Sequence, residues 1–162
     1  MVEMEDHSSA EEYGKLALED FLGRISSSSS TPGGGTSSAF LGALSSSLLC
    51  MVASLSEEGK NKVDFAKIIE KANQSERDLM NLMAEDSKSF REVMKAYRMP
   101  KKTKKEKDQR QEKIQKALKY ATETPLNIAE NCCDLLCVCR KVAEYGNKNA
   151  ITDVGAAAIY AN

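Results

Sequence analysis

Tryptophan is absent, histidine occurs once and proline three times in 162 residues. The one histidine, His7, stands near the N-terminus. A His-rich metal site is therefore excluded, and a Ser-His-Asp or Cys-His triad would need that end to fold back. So few prolines, with no run alternating at period two, leave long helices as the expected structure. An excess of basic charge is also missing, since 23 basic residues stand against 24 acidic ones for a net charge of −1. A general nucleic-acid binder would be strongly basic, so nucleic acid is not an expected partner. Hydrophobic residues make up 41% and charged residues 29%, the balance of a folded globular chain. The length suits one domain, expected to span residues 1–162.

The segment Met1 to Ala10 is acidic and polar, unlike a secretory signal or a basic transit peptide. Cysteines number five, and four of them (Cys132, Cys133, Cys137, Cys139) fall within eight residues. That is too crowded for a disulfide framework, so free thiols in a cytoplasmic protein are expected.

From Ile25 to Leu55 no charged residue occurs. The first part, Ser26 to Gly35, is a polar Ser/Gly loop, which shrinks any membrane span to Thr36–Leu55. Ser37, Ser38, Ser45, Ser46, Ser47 and Ser54 remain within it, more hydroxyls around the girth than a lipid-facing helix would carry. A central helix over about 36–55 is expected instead, packed on all sides and crossed closely at Gly42 and Ala43. Leu41, Leu44, Leu48, Met51 and Leu55 repeat along it at heptad spacing.

The remaining chain also reads as helix. Ser8 or Ser9 with Glu11 or Glu12 forms a capping-box pattern ahead of an apolar face with Leu16, Phe21, Leu22 and Ile25. Glu57 to Asn61 reads as a turn. A long helix over about 63–98 carries Phe65, Ile68, Ala72, Leu79, Met83, Phe90, Val93, Met94 and Tyr97 on its inner stripe and stops at Pro100. A lysine-rich segment then leads into a helix with Ile114, Leu118 and Ala121 inward. A boundary is expected at Thr122–Pro125, followed by a helix with Leu126, Ala129, Cys133, Leu136 and Val142 inward. Gly146 and Asn147 end that helix, and a last one covers Ile151 to Tyr160. The expected fold is an all-α, up-and-down helical bundle.

Three features carry chemistry. Pro32-Gly33-Gly34-Gly35 opens the central helix, where glycines permit close approach and unpaired N–H groups face a ligand; a plain flexible turn is the bland alternative. Asp86 takes a core position in the stripe Leu79, Met83, Asp86, Phe90, Val93, Tyr97. A carboxyl enclosed among apolar neighbours holds its proton to higher pH, which suits acid–base work near neutrality; a structural aspartate bonded to another helix is the alternative. Gly146 to Gly155 adds Asn147, Asn149, Thr152 and Asp153 before a small-residue helix. The basic stretch Lys101–Lys116, eight cations against Glu106, Asp108 and Glu112, is a solvated face or a lure for an anionic ligand tail. No cysteine set converges from separate segments, so no metal is expected.

Leu18-Glu19-Asp20-Phe21, the Pro32–Gly35 loop with its Ala/Ser/Leu-rich helix, Asp86 with Phe90, Met99-Pro100-Lys101, Pro125-Leu126, Gly146-Asn147 and Thr152-Asp153 occur in this order from Leu18 to Tyr160. The ordered set resembles the cyclodeaminase/cyclohydrolase family of one-carbon folate enzymes. The resemblance implies a helical homodimer that acts on a tetrahydrofolate derivative without a metal. Either 5-formiminotetrahydrofolate is converted to 5,10-methenyltetrahydrofolate and ammonia, or the methenyl form is hydrolysed to 10-formyltetrahydrofolate. Asp86 would be the first catalytic group and Asp153 the second, holding the pteridine ring through its N–H donors. Pro32, Gly33, Gly34, Gly35, Lys101, Asn147, Asn149 and Thr152 would bind substrate, with Lys101 or Lys60 meeting the glutamate tail. Two departures from the family stand out: the Leu55–Gly59 turn lacks the tighter Leu-Thr-x-Gly pattern, and the family continues past the Asp153 helix with more helix, which implies a chain stopping short at its C-terminus. The non-enzymatic alternative is an inactive helical scaffold of the same fold that self-associates through its serine-rich helix.

Overall fold

The computed structural model describes residues 10–56 and 63–162. A short 3-10 turn, Ala10–Lys15, precedes five helices: α1 (Leu18–Ile25), α2 (Gly34–Ser54), α3 (Phe65–Tyr97), α4 (Lys104–Tyr145) and α5 (Ile151–Tyr160). A second 3-10 turn, Lys148–Ala150, joins α4 to α5, and no strand occurs among the described residues. The all-α bundle is therefore the fold. The Ser8/Ser9 capping box, His7, Lys60 and the Glu57–Asn61 turn lie outside the described residues.

Local signals set the helix ends. Asp64 accepts the Lys67 N–H at 3.0 Å and starts α3. Thr103 and Glu106 form a reciprocal capping box at the start of α4, Glu106 Oε2 accepting the N–H of Thr103 at 2.9 Å. In α1, Phe21 is buried between Tyr13 and Phe40, with ring centroids 6.1 and 5.2 Å away.

Helices α2 and α3 are antiparallel, as three contacts show: Ser47 bonds Glu76 at 2.9 Å, Cys50 meets Asn73 at 3.5 Å and Thr36 bonds Asp86 at 2.8 Å. Helix α4 lies along α3, tied at its surface by Lys71–Asp134 at 2.8 Å. Helix α5 runs beside α2, where the buried Ser45 hydroxyl donates to the Ala157 carbonyl at 2.8 Å. Leu49, Val52, Leu79, Met83, Leu135 and Val142 fill the core. Burying each contributes about 1.5–3 kcal/mol. Gly42 marks a close crossing, since a Cβ there would meet Cys132 Sγ and Leu79 Cδ1 at 3.0 Å.

Three expectations are corrected. Pro125 does not break the chain into two helices; it lies inside α4. A proline in a helix interior costs about 3 kcal/mol, and burial of Ile114 before it and Ile128, Leu135, Val138 and Val142 after it offsets more than that. The helix therefore continues, and its inner face shifts: Leu118, Leu126, Ala129 and Cys133 turn outward. Helix α2 is not packed on all sides. Leu41, Leu44, Met51 and Leu55 are exposed and Leu48 is half-buried, while Thr36, Ser45 and Ser46 are buried. Small hydroxyl residues let the helices approach, and each buried hydroxyl finds a carbonyl or carboxylate nearby. Finally, Leu22, Phe90, Met94 and Tyr97 are exposed rather than inward. By length and hydropathy α2 is apolar enough to cross a membrane, yet half of that stretch is buried inside the bundle.

Candidate active site at the first turn of the central helix

The glycine loop and Asp86 come together. Gly33 is the residue before α2 and adopts an extended conformation with φ −132°, offering no side-chain cap. Gly34 and Gly33 have open space where a side chain would be. Gly35 does not: its missing Cβ would collide with the carboxyl group of Asp86. Pro32 is buried, and the peptide bond joining it to Thr31 is cis.

One Asp86 oxygen, Oδ2, accepts the hydroxyl proton of Thr36 at 2.8 Å. Thr36 is fully buried, and its oxygen lies 3.3 Å from the buried Ser87 Oγ. A hydroxyl has one proton to give, and a carboxylate gives none. The chain of donation therefore runs from Ser87 to Thr36 to Asp86. Ser89 in turn donates to the Asp86 carbonyl at 2.8 Å. Neither Thr36 nor Ser87 stood out in the sequence as a site residue; the signal was a threonine following the glycines and a Ser following the aspartate.

Helix α2 has no acidic residue in its first turn. The partial positive charge of that end, with its unpaired N–H groups, is met instead by Asp86 from α3. The half-buried carboxyl is thus fixed by a hydroxyl and a glycine surface, yet open on one side. A cavity of about 310 Å³ lies between α2, α4 and α5, lined by Gly35, Ser38, Leu41, Ala129, Cys132 and Tyr160, among others, and Asp86 is not part of its wall. Gly35 borders both the cavity and Asp86. Burial pushes the Cys132 thiol up, with a smaller push from Cys133. Burial likewise raises Cys139.

The second group of residues lies at the other end of α2. Asn147 donates its backbone N–H to the Ser56 hydroxyl oxygen at 3.0 Å and its Nδ2 to the Leu55 carbonyl at 3.0 Å. Its Oδ1 accepts the Asn149 N–H at 3.0 Å. Thr152 is exposed and Asp153 half-buried in the first turn of α5. With Ala157 level with Ser45, Asp153 stands about 20 Å along the bundle from the Gly35 turn. Lys101 is exposed in the connection after α3, beyond the far end of that helix. Within one chain, then, Asp86 meets the glycine loop at Gly35 and Thr36, Pro32 to Gly34 only precede that contact, and Asn147, Asn149, Thr152, Asp153 and Lys101 lie apart. Among the described residues no group of three or more His, Cys, Asp or Glu is placed to hold a metal ion.

A family model described as formiminotransferase-cyclodeaminase matches residues 17–162. The chain belongs to the formiminotransferase-cyclodeaminase family. A methenyltetrahydrofolate cyclohydrolase of Methylorubrum extorquens is 40% identical over 152 residues, covering 91% of this chain and 73% of that protein. The formimidoyltransferase-cyclodeaminase of Mus musculus is 28% identical over 147 residues, 88% of this chain; the chain spans only 27% of that longer protein. Among solved structures, formiminotetrahydrofolate cyclodeaminase from Thermotoga maritima superposes with a TM-score of 0.78 at 30% identity, covering 91% of this chain and 72% of that one. The formiminotransferase-cyclodeaminase family thus accounts for nearly the whole bundle, including the glycine turn and Asp86.

Proposed function

We propose that this chain is a one-carbon folate enzyme that hydrolyses 5,10-methenyltetrahydrofolate to 10-formyltetrahydrofolate. The observation that carries the reading is the carboxyl of Asp86, fixed by Thr36 at a helix N-terminus against Gly35, which itself lines a cavity. The 40% identity to a named methenyltetrahydrofolate cyclohydrolase supports it.

The chemistry needs one well-placed carboxylate. The methenyl bridge is a cation spread over N5, the bridging carbon and N10, and a neighbouring anion stabilises it. Asp86 takes a proton from water as the oxygen attacks that carbon, then returns a proton to N5 as the N5–carbon bond breaks. The formyl group stays on N10, and the second water proton leaves to solvent. The pterin would enter the cavity at Gly35, and Lys101 would meet the glutamate carboxylates. The reaction as drawn uses protein groups and water alone, and free thiols fit a cytoplasmic setting.

Cyclodeamination is the second reading, favoured by the likeness to a solved formiminotetrahydrofolate cyclodeaminase. There N10 attacks the formimino carbon and Asp86 gives a proton to the departing ammonia. Both reactions pass through a tetrahedral carbon between N5 and N10, so one site serves either. Following methenyl absorbance with each substrate separates them: it falls in hydrolysis and rises in cyclodeamination. Purified protein that leaves both folates unchanged, and gains no thermal stability from them, would instead be the inactive scaffold.

The proposed working form is a homodimer. Leu41, Leu44, Leu48, Met51 and Leu55 form an a/d-spaced stripe left largely uncovered on α2, and the exposed Ile159 of α5 borders the same cavity as Leu41. Pairing two such stripes about a two-fold axis perpendicular to α2 is isologous and antiparallel. It sets the Asn147, Asn149, Thr152 and Asp153 end of one copy beside the Gly35–Asp86 end of the other, where Asp153 would hold the pteridine.

A further inference from the structure

The face of α3 that packs on α2 continues past the point where α2 ends. Leu79 and Met83 are buried under α2, and Asp86 meets its first turn. Phe90, Met94 and Tyr97 follow at four, eight and eleven residues beyond Asp86, on the same side of the helix. They extend the face by about 16 Å. With α2 no longer above them they are 39, 37 and 47% exposed. Val93, on the edge of this same face between Phe90 and Tyr97, and Ala96 on the flank beyond it are buried, so the open strip is bounded on that side.

Tyr97 is held in place from one side. Arg110 of α4 donates from Nη2 to the Tyr97 carbonyl at 3.2 Å, and its Cζ lies 5.7 Å from the ring centroid. The guanidinium occupies one ring face as a cation–π partner. Past Tyr97 come Arg98, Lys101 and Lys102, all exposed. Read along α3, the surface is a carboxylate, then an apolar aromatic wall, then cations.

We infer that Phe90, Met94 and Tyr97 form the wall against which the aminobenzoyl ring of the folate lies. The inference rests on the folate reading above and deepens it. In a folate the reacting carbon joins N5 to N10, N10 carries the aminobenzoyl ring, and that ring carries an anionic glutamate. With the carbon at Asp86, the ring has two directions along this face. Toward Leu79 and Met83 the space is filled by α2; toward Tyr97 it is open and apolar, and it ends at cations of the sign the glutamate needs. The order of groups on the ligand thus matches the order of groups on the helix. These side chains are specificity and positioning residues, since none of them touches the reacting carbon.

Three substrates test it: methenyltetrahydrofolate, methenyltetrahydropteroate (the ring without glutamate), and a methenyl tetrahydropterin carrying a methyl group on N10 in place of the ring. Phe90→Ala and Tyr97→Ala are expected to raise KM roughly five- to tenfold for the first two and leave the third unchanged, with kcat altered little. Tyr97→Phe should restore the wild-type KM. Equal losses on all three substrates, no loss on any, or a change of sedimentation coefficient in the variants would each overturn the inference. A wild-type protein that turns over none of the three, in either assay direction, would overturn the folate reading itself, a result distinct from the others.

Discussion

Gly35 lies against the carboxyl group of Asp86 so closely that no side chain fits between them. Of the three consecutive glycines, this is the one the structure requires, since Gly34 and Gly33 face open space. Gly35→Ala is therefore expected to displace Asp86 and cut turnover at least tenfold, whereas Gly34→Ala should leave turnover within about twofold. Steady-state rates of the two purified variants, with circular dichroism to confirm the helices, make the comparison.

How much of this was legible in the sequence differs by element. Helix α3 was readable because its stripe is long and bounded by Pro100. Asp86 was readable because an acid stood where periodicity wanted an apolar residue. Helix α4 misled, since a break assumed at Pro125 reset the register and moved Leu126, Ala129 and Cys133 inside. In α2 hydropathy pointed the wrong way: Leu41, Leu44 and Leu55 face out while Ser45 and Ser46 face in, because a pattern of apolar spacing does not distinguish a core face from an exposed one. The role of Thr36 depends on the register of α2 against α3, and the remoteness of Asp153 on which way α5 runs past α2; no local pattern encodes either.

Thr36 is fully buried between Ser87 and Asp86. Thr36→Val keeps the shape and removes the hydroxyl, leaving partners of a buried hydrogen-bond chain unmatched. The expected cost is about 1–3 kcal/mol of stability, measured by urea denaturation, together with a lower kcat. Thr36→Ser should retain most of the activity. A Val variant as active as wild type would detach Thr36 from the positioning of Asp86.

The exposed α2 stripe predicts self-association. Leu44→Asp, on the outer face, should shift the protein to monomer in sedimentation velocity while leaving its helical content intact. A wild-type chain that is monomeric at micromolar concentration would contradict the proposed dimer.

Cysteine reactivity should follow burial. Cys133 and Cys137 are exposed, while Cys139 is buried and Cys132 lies half-buried with its thiol raised. Brief treatment with iodoacetamide at pH 7.5 should label Cys133 and Cys137 first, and Cys132 only as the pH rises toward its raised value. Peptide mass spectrometry reads the order directly.

Glu106 accepts backbone N–H groups of Thr103 and Lys102, which lower its pKa from 4.5. A carboxyl with a lowered folded pKa contributes stability that is present above the unfolded value and lost as pH falls through the folded one. The N-terminus of α4 should accordingly fray below pH 4.5. Thr103→Ala, which removes the other half of the capping box, should cost about 1 kcal/mol at neutral pH. Amide exchange over the first turn of α4 checks both.

The most direct measurement of the central claim is the rate of methenyltetrahydrofolate hydrolysis, and of formiminotetrahydrofolate cyclodeamination, by Asp86→Asn. Asparagine keeps the size and can still accept the Thr36 hydrogen bond, but it cannot take or return a proton. A loss of about 100-fold or more in kcat is expected, with folding and folate-induced thermal stabilisation retained. A variant that turns over at the wild-type rate would contradict the central claim.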